Sequence, residues 1–161
     1  MRFARLTLAG VAVGGLLLAA CSDASTSDES ERDESGEVVE EGDVGALVLQ
    51  VGDCFDDPGS DAVSSVPAVP CDEPHVNEVY ALFDVEGDDW PGEESLRGDA
   101  EAGCIERFDA YVGTPYAESA LFSRAIIPSE DTWEQADDRE IICIVYDPSG
   151  ERTGSAEGSN L

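Results

Sequence analysis

Residues 141–146, Ile-Ile-Cys-Ile-Val-Tyr, are apolar at every position, which is typical of a central β-strand covered on both faces. A second apolar pattern lies earlier in the chain. Leu96, Ala100, Cys104 and Phe108 recur every four residues and therefore share one face of a helix. We expect this helix to pack on the strand, because each element needs a partner that covers its apolar side.

The segments around this pair predict the rest of the sheet. Residues 78–85 alternate between polar and apolar side chains, as a half-buried strand does, and residues 123–127 predict another strand. Residues 46–51 predict a short strand, whereas the prolines in residues 66–71 favour an edge or an extended connection. The predicted fold class is α+β: a small antiparallel sheet with one main helix packed on a face.

The composition excludes several classes of partner and site. Acidic residues outnumber basic ones 37 to 8, the formal net charge is −29, and every basic residue is an arginine. Nucleic acids bind through cationic groups that release counterions, so we expect no nucleic-acid partner. The only histidine is His75, which excludes a metal centre built from several histidines, and we expect no metal and no cofactor.

The N-terminus predicts export and a lipid anchor. Two arginines precede an uncharged stretch of about 15 residues, which is too short to span a bilayer but suits the apolar region of a signal peptide. It ends in Leu18-Ala19-Ala20-Cys21, which resembles the lipobox of bacterial lipoproteins. We therefore assign residues 1–20 to a signal peptide and expect a diacylated (palmitate-type) Cys21 to hold the chain at the cell membrane. An ordinary secretory signal with a chance cysteine is the less favoured alternative.

A polar segment separates this anchor from the predicted domain. Residues 22–45 contain ten acidic residues against one arginine, and they carry only scattered apolar side chains. Such a composition cannot form a core, so residues 21–45 are predicted to be a lipidated cysteine followed by a disordered acidic tether. The globular domain is assigned to residues 46–161.

The other four cysteines, Cys54, Cys71, Cys104 and Cys143, predict two disulfides in an exported chain. Three pairings are open from the sequence alone. A helix packed on the central strand would bring Cys104 to Cys143, which leaves Cys54 to pair with Cys71 around a Pro- and Gly-rich loop. A metal site that uses Cys71 and His75 is the less favoured alternative, since metal ligands with the usual spacing are missing.

A set of short motifs runs in order along residues 46–158. They are Val51-Gly52-Asp53-Cys54-Phe55, Val69-Pro70-Cys71-Asp72-Glu73-Pro74-His75 with Glu78-Val79, Tyr111-Val112-Gly113, Trp133, Asp138-Arg139, Ile142-Cys143 and Thr153-Gly154-Ser155 with Gly158. Together they resemble the septum-formation domain of actinobacterial envelope proteins. The resemblance implies a membrane-attached, surface-exposed module connected with cell division, and it implies no catalytic residues.

Two functional hypotheses follow. The favoured one is a non-catalytic, lipid-anchored interaction module on the extracytoplasmic face of the cell membrane, with an envelope protein as partner. The chain contains no G-x-S-x-G motif and leaves no free cysteine as a nucleophile, so we expect no enzyme activity. The alternative is an envelope hydrolase or a solute- or cation-binding lipoprotein with a cleft near Trp90, Trp133 and His75.

Overall fold

The computed structural model describes residues 30–59 and 64–161. The predicted signal peptide and Cys21 lie outside these residues. The described chain contains antiparallel strands, one long helix and one short helix, and this confirms the predicted α+β class. No helix within the described ranges combines the length and the apolar character needed to cross a membrane.

The elements follow one another in a simple order along the chain. The strands are β1 Glu31–Arg32, β2 Val38–Glu40, β3 Gly42–Gly45, β4 Cys54–Phe55, β5 Ser65–Val69, β6 Asn77–Asp84, β7 Phe122–Ile126 and β8 Glu140–Tyr146, and the helices are α1 Glu93–Val112 and α2 Glu130–Ala136. Strands β1 and β2 form a two-stranded sheet of their own. The other six form one sheet in the order β3-β5-β4-β6-β8-β7, and every described pair is antiparallel.

Strand β8 is covered on both faces, as its sequence predicts, but it lies next to the edge strand β7 and not at the centre of the sheet. Ile141, Cys143 and Val145 face α1, while Ile142 and Ile144 face the opposite side of the sheet. Helix α1 presents its predicted apolar stripe to the sheet, and it ends at Gly113, whose φ of 87° is the left-handed conformation that terminates helices. The opposite face is covered by the N-terminal segment, which buries Val38 and Leu49 there.

The N-terminal segment is folded, which contradicts the prediction of a disordered tether over residues 31–45. These residues form β1, β2 and β3, and β3 pairs with β5 at the edge of the main sheet. The reason is that Val38 and Val44 are nearly fully buried against the sheet, so two apolar side chains fix a segment that its acidic composition describes as polar. The described part of the domain therefore begins before residue 46.

Two other predicted elements differ from the structure. Ala46–Val48 form a 3₁₀ turn instead of a strand, because Ala46 and Leu49 are buried while Leu47 and Val48 between them are exposed. Strand β5 lies inside the sheet although it contains Pro67. Its neighbour β4 pairs only with Ala68 and Val69, so no ladder bond from the nitrogen of Pro67 is needed on that side.

Strand β6 and helix α2 also go beyond the prediction. The first five residues of β6, Asn77 to Ala81, are all buried, so this half of the strand is covered on both faces and not half-buried as predicted. Helix α2 was not predicted. It begins with a capping box between Ser129 and Thr132, and it buries Trp133.

Candidate functional site

The two disulfides hold the parts of the molecule that meet at the site. Cys104 of α1 is bonded to Cys143 of β8, and Cys54 of β4 is bonded to Cys71, which confirms the predicted pairing. The first bond joins the helix to β8. The second closes the segment that runs from β4 to the end of β5, and Cys71 lies in the connection from β5 to β6. Both bonds therefore hold in place the segments that surround β6.

The centre of the site is the carboxylate of Glu78, the second residue of β6, whose side chain is completely buried. Oε1 accepts hydrogen bonds from the hydroxyl of Tyr111, at 2.8 Å, and from Oγ of Ser155. Oε2 accepts from the guanidinium of Arg152 at 3.1 Å and from the backbone N–H of Ala156 at 2.6 Å. Four donors thus surround one buried charge, and Arg152 neutralises it.

His75 helps to place these donors. Its backbone exchanges two hydrogen bonds with Arg152, at 2.9 and 2.8 Å, and this bridge puts the guanidinium within reach of Glu78. The carbonyl of Cys71 accepts from the N–H of Gly154 at 2.6 Å, which holds the same C-terminal loop. The loop that carries Arg152 and Ser155 is therefore positioned by the segment that precedes β6.

The imidazole of His75 is itself fully buried. Nδ1 lies 2.9 Å from the carbonyl oxygen of Glu73, so it carries the proton and donates it, while Nε2 has no partner among the described residues. A ring nitrogen of His75, Sγ of Cys54 and a carboxylate oxygen of Glu78 lie within 4.8 Å of one another. Cys54 is bonded to Cys71 and Glu78 already accepts four hydrogen bonds, so in the oxidised chain this cluster is arranged as a hydrogen-bonded core and not as a ligand set.

Tyr111 is held as a neutral donor. Burial raises the pKa of its hydroxyl well above the ordinary value of 10.0, and the neighbouring charge of Glu78 and the hydrogen bond to it raise the pKa further. Tyr80, the fourth residue of β6, behaves in the same way: burial raises the pKa of its hydroxyl to about 12. The site therefore contains hydroxyls that keep their protons throughout the physiological range.

Asp53 extends the network toward the N-terminal segment. Its carboxylate is almost completely buried and binds the guanidinium of Arg32 through two hydrogen bonds of 2.5 and 2.7 Å. It also accepts from the N–H of Gln50 at 2.8 Å. A shallow cleft of about 330 Å³ lies between these residues and the Glu78 cluster, with Cys71 and Tyr111 in its wall.

The structure does not assemble the cleft that the alternative hypothesis requires. Trp133 packs edge-on against Trp90, with ring centroids 5.6 Å apart, and it lies under the guanidinium of Arg139. Arg139 precedes Glu140, which pairs with Asp84, the last residue of β6. His75 precedes the first residue of the same strand, so the tryptophans and the imidazole are separated by the length of β6, roughly 20 Å. The two tryptophans serve as a packing cluster, and Trp133 is nearly fully buried.

Sequence reasoning did not find the central residues of this site. Glu78 looks like the polar position of an alternating strand, and its burial depends on Arg152 and Ser155, more than 70 residues further on. The one signal in the sequence was the set of short motifs. Glu78, Tyr111 and Ser155 all lie within those motifs, and the structure brings these three motifs together around a single carboxylate.

Comparison with known proteins agrees with this convergence. The family model described as septum formation matches residues 51–160, which is most of the chain. No curated protein and no solved structure matches the sequence. The matched segment contains every residue that binds Glu78 and both disulfides, and it confirms the resemblance derived from the motifs. The chain belongs to the septum formation family.

Proposed function

We propose that this chain is a non-catalytic interaction module, held by a lipid at Cys21 on the extracytoplasmic face of the cell membrane, that binds an envelope protein during septum formation. The family match supports the link to cell division. The lipobox-like Leu18-Ala19-Ala20-Cys21 supports the anchor.

The observation that carries the non-catalytic assignment is the saturation of Glu78. A general acid or base must reach the proton that it transfers, and a nucleophile must reach its substrate. The carboxylate of Glu78 and the imidazole of His75 are completely buried, and four donors occupy the carboxylate. The groups that the family motifs bring together are thus placed to stabilise the domain, which leaves binding to its outer surface.

The test uses cells that lack the native gene. A fluorescent fusion of the full chain should collect at division septa and restore normal septation. His75→Ala should lower the melting temperature, because it opens a cavity and frees the carbonyl of Glu73, yet it should still complement at a temperature where it is folded. Glu134→Ala, a change at an exposed residue of α2, is the matched control. A fully folded His75→Ala protein that does not complement contradicts the proposal and favours an enzyme.

The anchor is tested separately in the same cells. Cys21→Ala removes the thiol that accepts the lipid, so the variant should leave the detergent phase in phase partitioning and should lose its septal position. A mature Cys21→Ala protein that still enters the detergent phase would disprove lipid attachment at this residue.

A further inference from the structure

A groove lies between α1 and β7, away from the Glu78 cluster. Its volume is about 240 Å³, and its walls are formed by Glu101 and Ile105 of α1 and by Ser123 and Ala125 of β7. Ala100 and Ile127 also line it, and Ile105 is 39% exposed. The groove therefore offers a recess next to a strand, and both polar and apolar groups line it.

Strand β7 lies at the edge of the main sheet. β7 pairs with β8 on one side, and no strand pairs with its other side within the described ranges. An edge strand presents unpaired backbone N–H and C=O groups, to which an extended segment of another chain can add as a further strand. Phe122 at the beginning of β7 is 46% exposed, which adds apolar surface along the same edge.

The size of the groove decides between kinds of ligand. Sites for small molecules and cofactors enclose roughly 300–1,000 Å³. A recess of about 240 Å³ falls just below that range, and it is partly open to solvent. It suits the side chains on one face of an added strand, because alternate residues of such a strand point to the same face.

Charge defines the occupant further. Helix α1, the outer wall, carries six acidic residues, Glu93, Glu94, Asp99, Glu101, Glu106 and Asp109, against two arginines. Two arginines line the groove, and both are paired with acidic residues: Arg97 with Glu93, and Arg124 with Asp57, while Arg124 also bonds to Asn77. A cationic segment matches this wall and the net charge of −29, whereas two copies of the chain repel each other.

We propose that β7 and the α1 groove bind an extended, lysine- or arginine-containing segment of a partner protein, with aliphatic side chains at alternate positions, which adds to β7 as a further strand. This inference rests on the proposed function, since it names the surface and the partner chemistry of the interaction module.

The first test measures peptide binding by isothermal titration and by backbone NMR shifts of the disulfide-intact chain. The probes are synthetic peptides of about ten residues in which valine alternates with lysine or with glutamate. The lysine peptide should bind more tightly, should lose affinity in high salt, and should shift the amide signals of residues 122–127. Two further lysine peptides, N-methylated at odd or at even positions, test the backbone bonds: one should bind and the other should not.

Matched variants test the two walls of the groove. Ile105→Ser should weaken binding of the lysine peptide about tenfold, because it removes apolar contact area on the rim. Leu47→Ser is its control, since Leu47 is equally an exposed aliphatic residue but lies at the opposite end of the sheet. Glu101→Arg should weaken binding roughly threefold at low salt, whereas Glu134→Arg on α2 should not.

The outcomes separate this inference from the proposed function. If neither peptide binds, if both methylated peptides bind equally, or if Ile105→Ser has no effect, the groove is not the docking site, whatever the septal localisation of the chain. If the chain sediments as a dimer that Ile105→Ser dissociates, the occupant is a second copy and the cationic-peptide proposal is overturned. Normal septal localisation of a folded Ile105→Ser chain would likewise reject this surface while leaving the septal assignment in place.

Discussion

Replacement of Glu78 by glutamine tests whether the buried charge holds the domain together. The two side chains have nearly the same shape, and the amide can still satisfy much of the network. Its oxygen can accept from Arg152 and from the N–H of Ala156, while its NH₂ group can donate to the rotatable hydroxyls of Tyr111 and Ser155. What Glu78→Gln removes is the negative charge opposite Arg152.

The magnitude follows from the burial of the pair. Glu78 is 0% exposed and Arg152 only 11% exposed, so the remaining cation is poorly solvated. Loss of one partner of a buried ion pair costs about 3–5 kcal/mol, and because the hydrogen bonds persist we expect the lower end, about 3 kcal/mol. At about 4 °C per kcal/mol this corresponds to a decrease in melting temperature of roughly 12 °C.

The assay is urea unfolding of the disulfide-intact protein, monitored by circular dichroism. Glu157→Gln, at an exposed position of the same C-terminal loop, is the matched control and should change the free energy of unfolding by less than about 0.5 kcal/mol. The double variant Glu78→Gln/Arg152→Gln should cost less than the sum of the single variants, because it removes the isolated cation. A loss below about 1 kcal/mol for Glu78→Gln, or strict additivity, would refute the argument.

Three further changes test other parts of the structure. Burial raises the pKa of Tyr80 from 10.0 to about 12, so its contribution to stability is complete below pH 10 and is lost as the pH rises toward 12; Tyr80 should account for about 2–3 kcal/mol of the stability lost over this range in alkaline unfolding, and Tyr80→Phe should lose that much less than the native protein. The double variant Cys104→Ala/Cys143→Ala opens a loop of sequence separation 39 and should cost about 4 kcal/mol in urea unfolding; a change below about 1 kcal/mol would show that the bond does not hold α1 to the sheet. Arg32→Ala leaves the buried Asp53 without its cation and should cost about 3 kcal/mol and expose residues 31–45 to limited proteolysis, whereas Arg97→Ala, whose ion pair is exposed, should cost less than about 1 kcal/mol.

The sequence predicts the elements whose pattern is continuous. The apolar run of β8, the four-residue stripe of α1 and the pairing of Cys104 with Cys143 follow from local periodicity and from the need to cover apolar faces. The strands in residues 31–45 do not follow, because their stability comes from two buried valines and from the pairing of β3 with a strand that is distant in sequence. Composition alone therefore places the beginning of the folded chain too late.

The buried carboxylate escapes prediction for a similar physical reason. An ionised side chain in a strand is expected at the surface, since burial costs several kcal/mol unless its partners are in place. The partners of Glu78 come from the end of α1 and from the C-terminal loop, and only the completed sheet brings them together. The sequence shows the donors and the acceptor, but it does not show that folding brings them within hydrogen-bonding distance.

The position of the family motifs has a consequence for where function lies. Cys54 and Cys71, His75 and Glu78, Tyr111 and the loop around Ser155 all converge on one buried network. The carboxylate of Glu78 is fully occupied by its donors, so it stabilises the fold, and it cannot also recognise a partner without breaking those bonds. Under the proposed function, recognition uses surfaces that the network only supports. The α1–β7 groove is such a surface: the Cys104–Cys143 bond fixes its helical wall to the sheet, and the hydroxyl of Tyr80 joins the two walls by donating to the carbonyl of Cys104 and bonding to Ser123.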